Sequence, residues 1–240
     1  MKFTKECNLK AREFYLKAIE LDKEYARAYG SLAWTYITAY DENWSDEPDA
    51  DLDKALEIAR QGVGINPSSH SNHLVLARVF YYKKMIDRAS ESCQRAIELN
   101  PNDPDAFTFY AAILSHQGKF EQAEEQIARA IAMNPNLGEW NRGVYGVHAV
   151  IYYNARRYED SIAAWQQMDN PPFLFYRWAA AAYAMHGNAE KARHLADKYL
   201  ARYPKFDFEE HIRRMPYSHA EDREHYAEGL TKAGFARVLA

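Results

Sequence analysis

The sequence has no basic excess, no long apolar run and almost no cysteine, and each absence excludes a class of protein. Thirty Lys and Arg residues against 34 Asp and Glu residues leave a net charge of −4. No positive field therefore favours nucleic acid or an anionic membrane. No segment approaches the roughly 18 apolar residues of a membrane span, and the N-terminus lacks the apolar run of a signal peptide. We therefore expect a cytoplasmic protein that binds neither nucleic acid nor membrane.

The residues that usually carry chemistry are present but have no reactive pattern. Cys7 and Cys93 lie far apart without metal-ligand spacing, so we expect free thiols in a reducing compartment. His70 and His73 are three residues apart but have no further ligand at a suitable spacing. The acidic segment 41–49 lacks the alternation of a calcium loop. Because no phosphate loop or nucleophile motif occurs either, we predict no enzymatic activity, no metal and no cofactor.

A 34-residue period runs through the chain and predicts its fold class. Pro67, Pro101 and Pro135 are 34 residues apart, and each follows Asn and an aliphatic residue. A second column pairs small residues that are twelve positions apart. Small residues at fixed places let two antiparallel helices approach closely. The pattern predicts an all-α chain of successive helix pairs. The paired small residues are Ala77 and Ala89, Ala111 and Ala123, Ala149 and Ser161, and Ala180 and Ala192.

This pattern resembles the tetratricopeptide repeat, whose signature is W-x2-L-G-x2-Y followed by A-x3-F, A and P. The clearest copies are Leu32-Ala33-x2-Tyr36, Leu76-Ala77-x2-Phe80 and Tyr110-Ala111-x2-Leu114. The resemblance covers residues 9–204 and implies a right-handed α-α superhelix of about five helix pairs. The predicted solenoid spans 1–204, with units at 9–25 (a half repeat), 26–69, 70–103, 104–137, 138–172 and 173–205, and C-terminal capping helices follow over 206–236.

Three departures from the repeat carry further expectations. Ala33 and Ala55 are 22 residues apart, so ten residues are inserted in that unit. Extra residues at 137–140 precede the fourth unit, and Pro171-Pro172 should shorten its second helix. The chain also begins with a helix of the second type. Either it was cut from a longer polypeptide, or this end pairs with another copy, which makes a homodimer through the N-terminal helix possible.

The C-terminal residues predict a helical cap. Phe208, Ile212 and Met215 lie on one face of a short helix, and Ser218–Glu221 has the form of a capping box. The helix that follows should end near Gly234, with Tyr226 and Leu230 folded back onto the last repeat. This tail is also similar to the one that closes tetratricopeptide regions of bacterial class III adenylate cyclases. An alternative function is therefore a regulatory or dimerisation region of a nucleotide-cyclase-like signalling protein.

The resemblance implies that the first helices line a concave groove that binds a protein or peptide. We therefore predict an interaction scaffold, because aligned Trp, Tyr and Arg residues are typical of binding hot spots. The alternative for each aromatic residue is that it packs between adjacent repeats. The predicted groove residues are Arg27, Trp34, Leu74, Arg78, Tyr81, Tyr82, Thr108, His116, Tyr153, Asn154, Arg177 and Trp178, with Val150 and Met185 nearby.

Overall fold

The computed structural model of the protein describes residues 4–133 and 141–236. Every regular element in that part of the chain is a helix, which confirms the predicted all-α class. The chain divides into two compact units, 1–106 and 107–240. The division falls inside the helix Pro104–His116. The extra residues predicted at 137–140 lie outside the described residues.

Unit 1 consists of helix pairs in the predicted order. Helix α3 packs mainly on α2, α5 packs mainly on α4, and α1 packs on α2. Its helices are α1 (Lys5–Leu21), α2 (Ala26–Asp41), α3 (Pro48–Ile65), α4 (His70–Tyr82) and α5 (Ile86–Leu99), followed by the start of α6 (Pro104–His116).

The small residues of the paired helices in unit 1 are buried. Ala33 and Ala55 are completely buried, as are Ala77 and Ala89. A larger side chain at these points would force the helices apart. The complete burial of these residues is what close packing of paired helices requires.

The ten inserted residues of the first full pair mostly lengthen its helices. Helix α2 has 16 residues and α3 has 18, whereas α4 has 13 and α5 has 14. Pro48 occupies the first turn of α3, where proline costs no hydrogen bond. The acidic segment is therefore divided between two helix ends and a short connection.

The described part of unit 2 contains the rest of α6 and seven further α-helices. Helix α9 has only nine residues, as Pro171-Pro172 predicted. Ser161 Oγ donates a hydrogen bond of 2.7 Å to the Ala149 carbonyl, so this small pair lies at a helix crossing as well. The helices are α7 (Phe120–Met133), α8 (Asn141–Asn154), α9 (Tyr158–Gln166), α10 (Tyr176–Met185), α11 (Ala189–Arg202), α12 (Phe208–Arg214) and α13 (Ala220–Ala233), with a 3-10 turn at Phe173–Phe175.

The turns between paired helices use the left-handed backbone region. Gly118 and Gly187 have φ values of 73° and 91°, as expected for glycine after a helix end. Lys84 and Arg156 adopt φ values of 58° and 61° at the corresponding places. The same turn therefore forms where the sequence has no glycine.

The C-terminal cap follows the prediction except at one residue. Helix α13 ends at Gly234, whose φ is 98°. Its N-cap is His219, without a side-chain capping bond, so the predicted capping box at Ser218 is wrong. The Ser218 amide instead donates to the His116 carbonyl at 2.9 Å, which fixes the segment before α13 against the end of α6.

Candidate functional site

The candidate site in unit 1 is an open face of its first helices, with Trp34 at its centre. Trp34 is 40% exposed, and the Arg78 guanidinium carbon lies 5.0 Å from the centroid of its ring. That distance is typical of a cation–π contact. Arg27, on the same helix, is exposed to solvent. Two predicted groove residues of α2 thus lie together on an accessible surface, with a third from α4.

A cavity of about 400 Å³ opens beside Trp34. Its walls come from α1, α2 and α4, and Arg27 is the charged residue among those that line it. The cavity has the size of a small-ligand or side-chain pocket. The α1 residues in its wall are Cys7, Asn8, Ala11 and Tyr15, and the α4 residues are Ser71, Asn72 and Val75.

One side of this cavity is held in place by a buried amide. Asn72 Nδ2 donates to the Ala26 and Gly62 carbonyls, each at 3.0 Å, so one side chain ties α4 to both α2 and α3. A Cβ at residue 30 would overlap Asn72 Oδ1. Glycine at position 30 is therefore what lets α4 approach α2 closely.

Helix α1 is attached to α2 by Arg12. Its Nε donates to Thr35 Oγ1 at 3.3 Å, and its guanidinium carbon lies 3.7 Å from the centroid of the Tyr36 ring. Thr35 in turn donates to the Leu32 carbonyl at 2.7 Å. The α1 wall of the cavity is therefore held by both polar and ring contacts.

The remaining predicted residues of unit 1 are half-buried. Leu74, Arg78, Tyr81 and Tyr82 all belong to this group. The Tyr82 ring contacts those of Tyr40 and Tyr81 at centroid distances of 5.4 and 5.5 Å. Burial, followed by the nearby Asp41 carboxylate, raises the pKa of Tyr82 well above its usual value. These tyrosines pack between helices and expose only part of their surface.

In unit 2 the structure places most predicted groove residues in the interior. His116, Tyr153, Asn154 and Trp178 are buried, contrary to the expectation that they line an open groove. The C-terminal segment covers them. Trp178 stacks on Tyr226 with ring centroids 3.9 Å apart, and the His116 ring lies 4.7 Å from that of Tyr217.

Polar contacts bind the same C-terminal segment to this face. Tyr153 Oη donates to the His225 carbonyl at 3.1 Å. Arg177 Nη1 lies 3.0 Å from His211 Nδ1. Tyr226 and Leu230 are fully buried, which confirms that they fold back onto the repeat. Thr108 is half-buried, and Val150 and Met185 belong to the apolar packing of this unit.

Burial keeps two histidines of this interface neutral at pH 7. The pKa of His116 falls to about 4 because its buried ring cannot be solvated when charged, although a contact with the Ala112 carbonyl opposes the fall. The pKa of His225 also falls to about 4, mainly through burial and then through the Arg156 charge. Groups with such values act as packing and hydrogen-bonding residues at neutral pH.

The described residues contain no group of three or more His, Cys, Asp and Glu side chains that could hold a metal ion. No helix within residues 4–133 and 141–236 is long and apolar enough to cross a membrane.

The sequence did not reveal the cavity itself. Its α1 wall came from a helix that the repeat pattern marked only as a half unit, and Gly30 and Asn72 lie outside the repeat signature. One sequence signal could have indicated the close approach. Position 30 of α2 is glycine, whereas the corresponding position of α4 is Leu74.

Comparison with known proteins supports the repeat. Residues 80–144 match a family model described as a tetratricopeptide repeat. No curated protein matches the sequence, and none of these comparisons supports the narrower resemblance to cyclase-linked tails.

Several solved structures have a similar fold. A chain of the APC/C hetero-tetramer Cut9–Hcn1 aligns with a TM-score of 0.68 and 12% identity, over 95% of this chain and 46% of its own. The type IV pilus biogenesis factor PilW aligns with a TM-score of 0.62 and 16% identity, over 89% and 95% of the two chains. The tetratricopeptide-repeat protein TTC0263 of Thermus thermophilus aligns with a TM-score of 0.59 and 16% identity, over 83% of this chain and 99% of its own. The chain therefore has the fold of tetratricopeptide-repeat proteins.

Proposed function

We propose that the protein is an interaction scaffold that holds a protein or peptide partner on the first-helix face of unit 1. The observation that carries this proposal is Trp34, which is exposed beside a cavity of about 400 Å³ and carries the Arg78 guanidinium over its ring. Trp and Arg are enriched among the residues that dominate binding energy, especially next to pockets that exclude water. One structure with this fold was solved as a hetero-tetramer, Cut9–Hcn1.

The proposed site excludes the buried groove residues of unit 2. His116, Asn154 and Trp178 already contact the C-terminal segment of the same chain. A partner could reach them only by displacing α12 and α13, together with the fully buried Tyr226 and Leu230. We therefore assign binding to Arg27, Trp34 and Arg78, with support from Leu74 and Tyr81.

Affinity capture with matched bait proteins tests this assignment. We expect the partner recovered by the wild-type bait to be lost with Trp34→Ala, because removing a central aromatic anchor typically costs about 2 kcal/mol or more, a decrease of roughly thirtyfold in affinity. Phe173→Ala is the control, since Phe173 is another exposed aromatic residue but belongs to unit 2. Equal recovery with all three baits would refute the site.

The alternative function, as a regulatory or dimerisation region of a nucleotide-cyclase-like signalling protein, stays a prediction from the sequence. Its structural support is the apolar surface of α1, where Phe14 and Leu21 are among the most exposed large apolar side chains. Light scattering over a range of protein concentrations measures the predicted homodimer directly. Replacement of both residues by Glu should abolish any dimer that forms through this surface.

A further inference from the structure

Helix α1 has the register of a second helix but lacks the cover that the other second helices have. Lys23 occupies the place of Pro67 and Pro101 in the repeat, so Ala11 corresponds to Ala55 and Ala89. Ala55 and Ala89 are completely buried, whereas Ala11 is only half-buried.

A larger side chain shows the same difference. Phe14 is 72% exposed, while Ile58, its counterpart in α3, is 5% exposed. Both helices carry an apolar residue at this position, but among the described residues only the one in α3 is covered. The face of α1 is therefore built for a contact that the described residues do not supply.

The other pairs of unit 1 show what kind of element makes this contact. Helix α3 is covered by α2, and α5 is covered by α4. The α1 residues in the cavity wall correspond to α3 residues that are mostly buried: Asn8 to Leu52, Ala11 to Ala55 and Tyr15 to Ala59. The cavity thus borders the face of α1 on which, in the later pairs, a first helix packs.

Within residues 4–133 and 141–236, a second folded copy offers no first helix whose small residue is accessible. The small crossing residues of the five first helices all lie buried within their own pairs. They are Ala33, Ala77, Ala111, Ala149 and Ala180. The outward face of α1 is charged as well, since Lys10, Glu13, Lys17 and Glu20 are all exposed. A helix of a partner protein, whose small face is not already packed in a pair, fits this requirement.

The charge of the cavity adds one more requirement. Arg27 is the charged residue in its lining and is exposed, and no described residue forms an ion pair with it. A carboxylate of the occupant can engage such a guanidinium through two parallel hydrogen bonds.

We infer that the cavity between α1, α2 and α4 binds an amphipathic helix of a partner protein. A small residue of that helix packs on Ala11, apolar side chains contact Tyr15 and Trp34, and an acidic side chain reaches Arg27. This inference rests on the proposed function and names the class of partner. It is a helix-in-groove mode of recognition, in which the partner completes the half repeat at α1.

Cys7 provides a direct readout of occupancy, because its side chain lines the cavity and is exposed. The probe is a synthetic peptide with the sequence of α4, residues 70–82, stapled on the face opposite Ala77. It carries Ser71→Glu, because position 71 corresponds to Arg27 in the repeat and the native segment has no carboxylate. The staple is needed because isolated helices of this length are marginal in water, and circular dichroism verifies that the peptide is helical. We expect alkylation of Cys7 to slow about tenfold when the peptide is present at roughly ten times its Kd.

Two matched comparisons, one in the peptide and one in the protein, show whether binding requires close packing of the peptide on Ala11. In the peptide, Ala77→Phe should weaken binding at least about tenfold, because the bulky residue prevents the approach to Ala11. In the protein, Ala11→Trp should have the same effect, while Lys17→Trp, on the outward face of α1, should leave the fluorescence anisotropy titration unchanged. Circular dichroism of both protein variants confirms that they are folded.

Three results would overturn the inference. They are a helical peptide that leaves Cys7 alkylation unchanged, equal binding by the Ala77→Phe peptide, and a concentration-dependent dimer that buries Cys7 and excludes the peptide. If the peptide does not bind while capture of a partner still depends on Trp34, the inference is wrong and the proposed function stands. If the peptide does not bind and capture does not depend on Trp34, the proposed function is wrong as well.

Discussion

Tyr217 Oη donates a hydrogen bond of 2.9 Å to Asn154 Oδ1, and Asn154 Nδ2 donates one of 2.8 Å to Ser115 Oγ. All three residues are buried. The first residue precedes α13, while the other two lie near the ends of α8 and α6. This chain of hydrogen bonds therefore joins the C-terminal segment to two first helices of unit 2, through Asn154, which the repeat pattern assigned to an open groove.

Removing the Tyr217 hydroxyl should destabilise the protein. In Tyr217→Phe the buried Asn154 Oδ1 loses its donor, which typically costs about 1–2 kcal/mol. Urea denaturation followed by fluorescence measures the change in the free energy of unfolding. Tyr25→Phe is the control, because Tyr25 is an exposed tyrosine. The structural account is contradicted if the two variants are equally stable.

The buried His116 should make stability depend on pH below neutrality. Its pKa in the folded state is about 4, and about 6.5 in an unfolded chain. Between these two pKa values His116 is protonated in the unfolded state but not in the folded state. Its contribution to the free energy of unfolding is therefore fully present above about pH 6.5 and is lost as the pH falls towards 4. The contribution lost at pH 5 is on the order of 2 kcal/mol.

Denaturation curves at pH 7.5 and pH 5 measure this effect. His116→Gln should lower the free energy of unfolding at pH 7.5, since packing against Tyr217 is lost. It should also reduce the difference in that free energy between pH 7.5 and pH 5. An unchanged pH difference in the variant would show that another group titrates.

Two glycines of unit 1 should respond in opposite directions to alanine. Gly30→Ala places a methyl group on Asn72 Oδ1 and displaces the amide that bonds the Ala26 and Gly62 carbonyls, so we expect a loss of about 2–3 kcal/mol. Gly64→Ala, within α3, meets nothing within 4 Å and should stabilise the protein by about 0.5–1 kcal/mol. Thermal denaturation of both variants checks the signs, and a stable Gly30→Ala variant would contradict the role of Asn72.

The two thiols should differ strongly in reactivity. Cys7 is exposed, whereas burial raises the pKa of Cys93 to about 12. Since the thiolate is the reactive form, iodoacetamide should modify Cys7 alone in the folded protein and both residues in urea. Peptide mass spectrometry after a timed reaction measures each site. Comparable modification of Cys93 under native conditions would show that α5 opens readily.

The placement of Trp34 and Arg78 on one face of unit 1 could be predicted because it depends on local register. Trp34 and Arg78 occupy corresponding positions of α2 and α4, 44 residues apart. A repeat that places one on an open face also places the other there. The cavity could not be predicted, because its walls come from three helices and from the close approach at Gly30.

The sequence by itself determined the helix pairs and their buried small residues, because small residues and helix ends are local signals that recur in each unit. Only the tertiary structure decided which segment covers which apolar face. An amphipathic helix specifies that one side will be buried, but not by what. Hence His116, Asn154 and Trp178 carry the pattern of groove residues and yet contact Tyr217 and Tyr226 of the same chain. Arg156 likewise adopts the glycine-like turn because the packing around α8 and α9, together with its ion pair to Asp222, outweighs its own backbone preference.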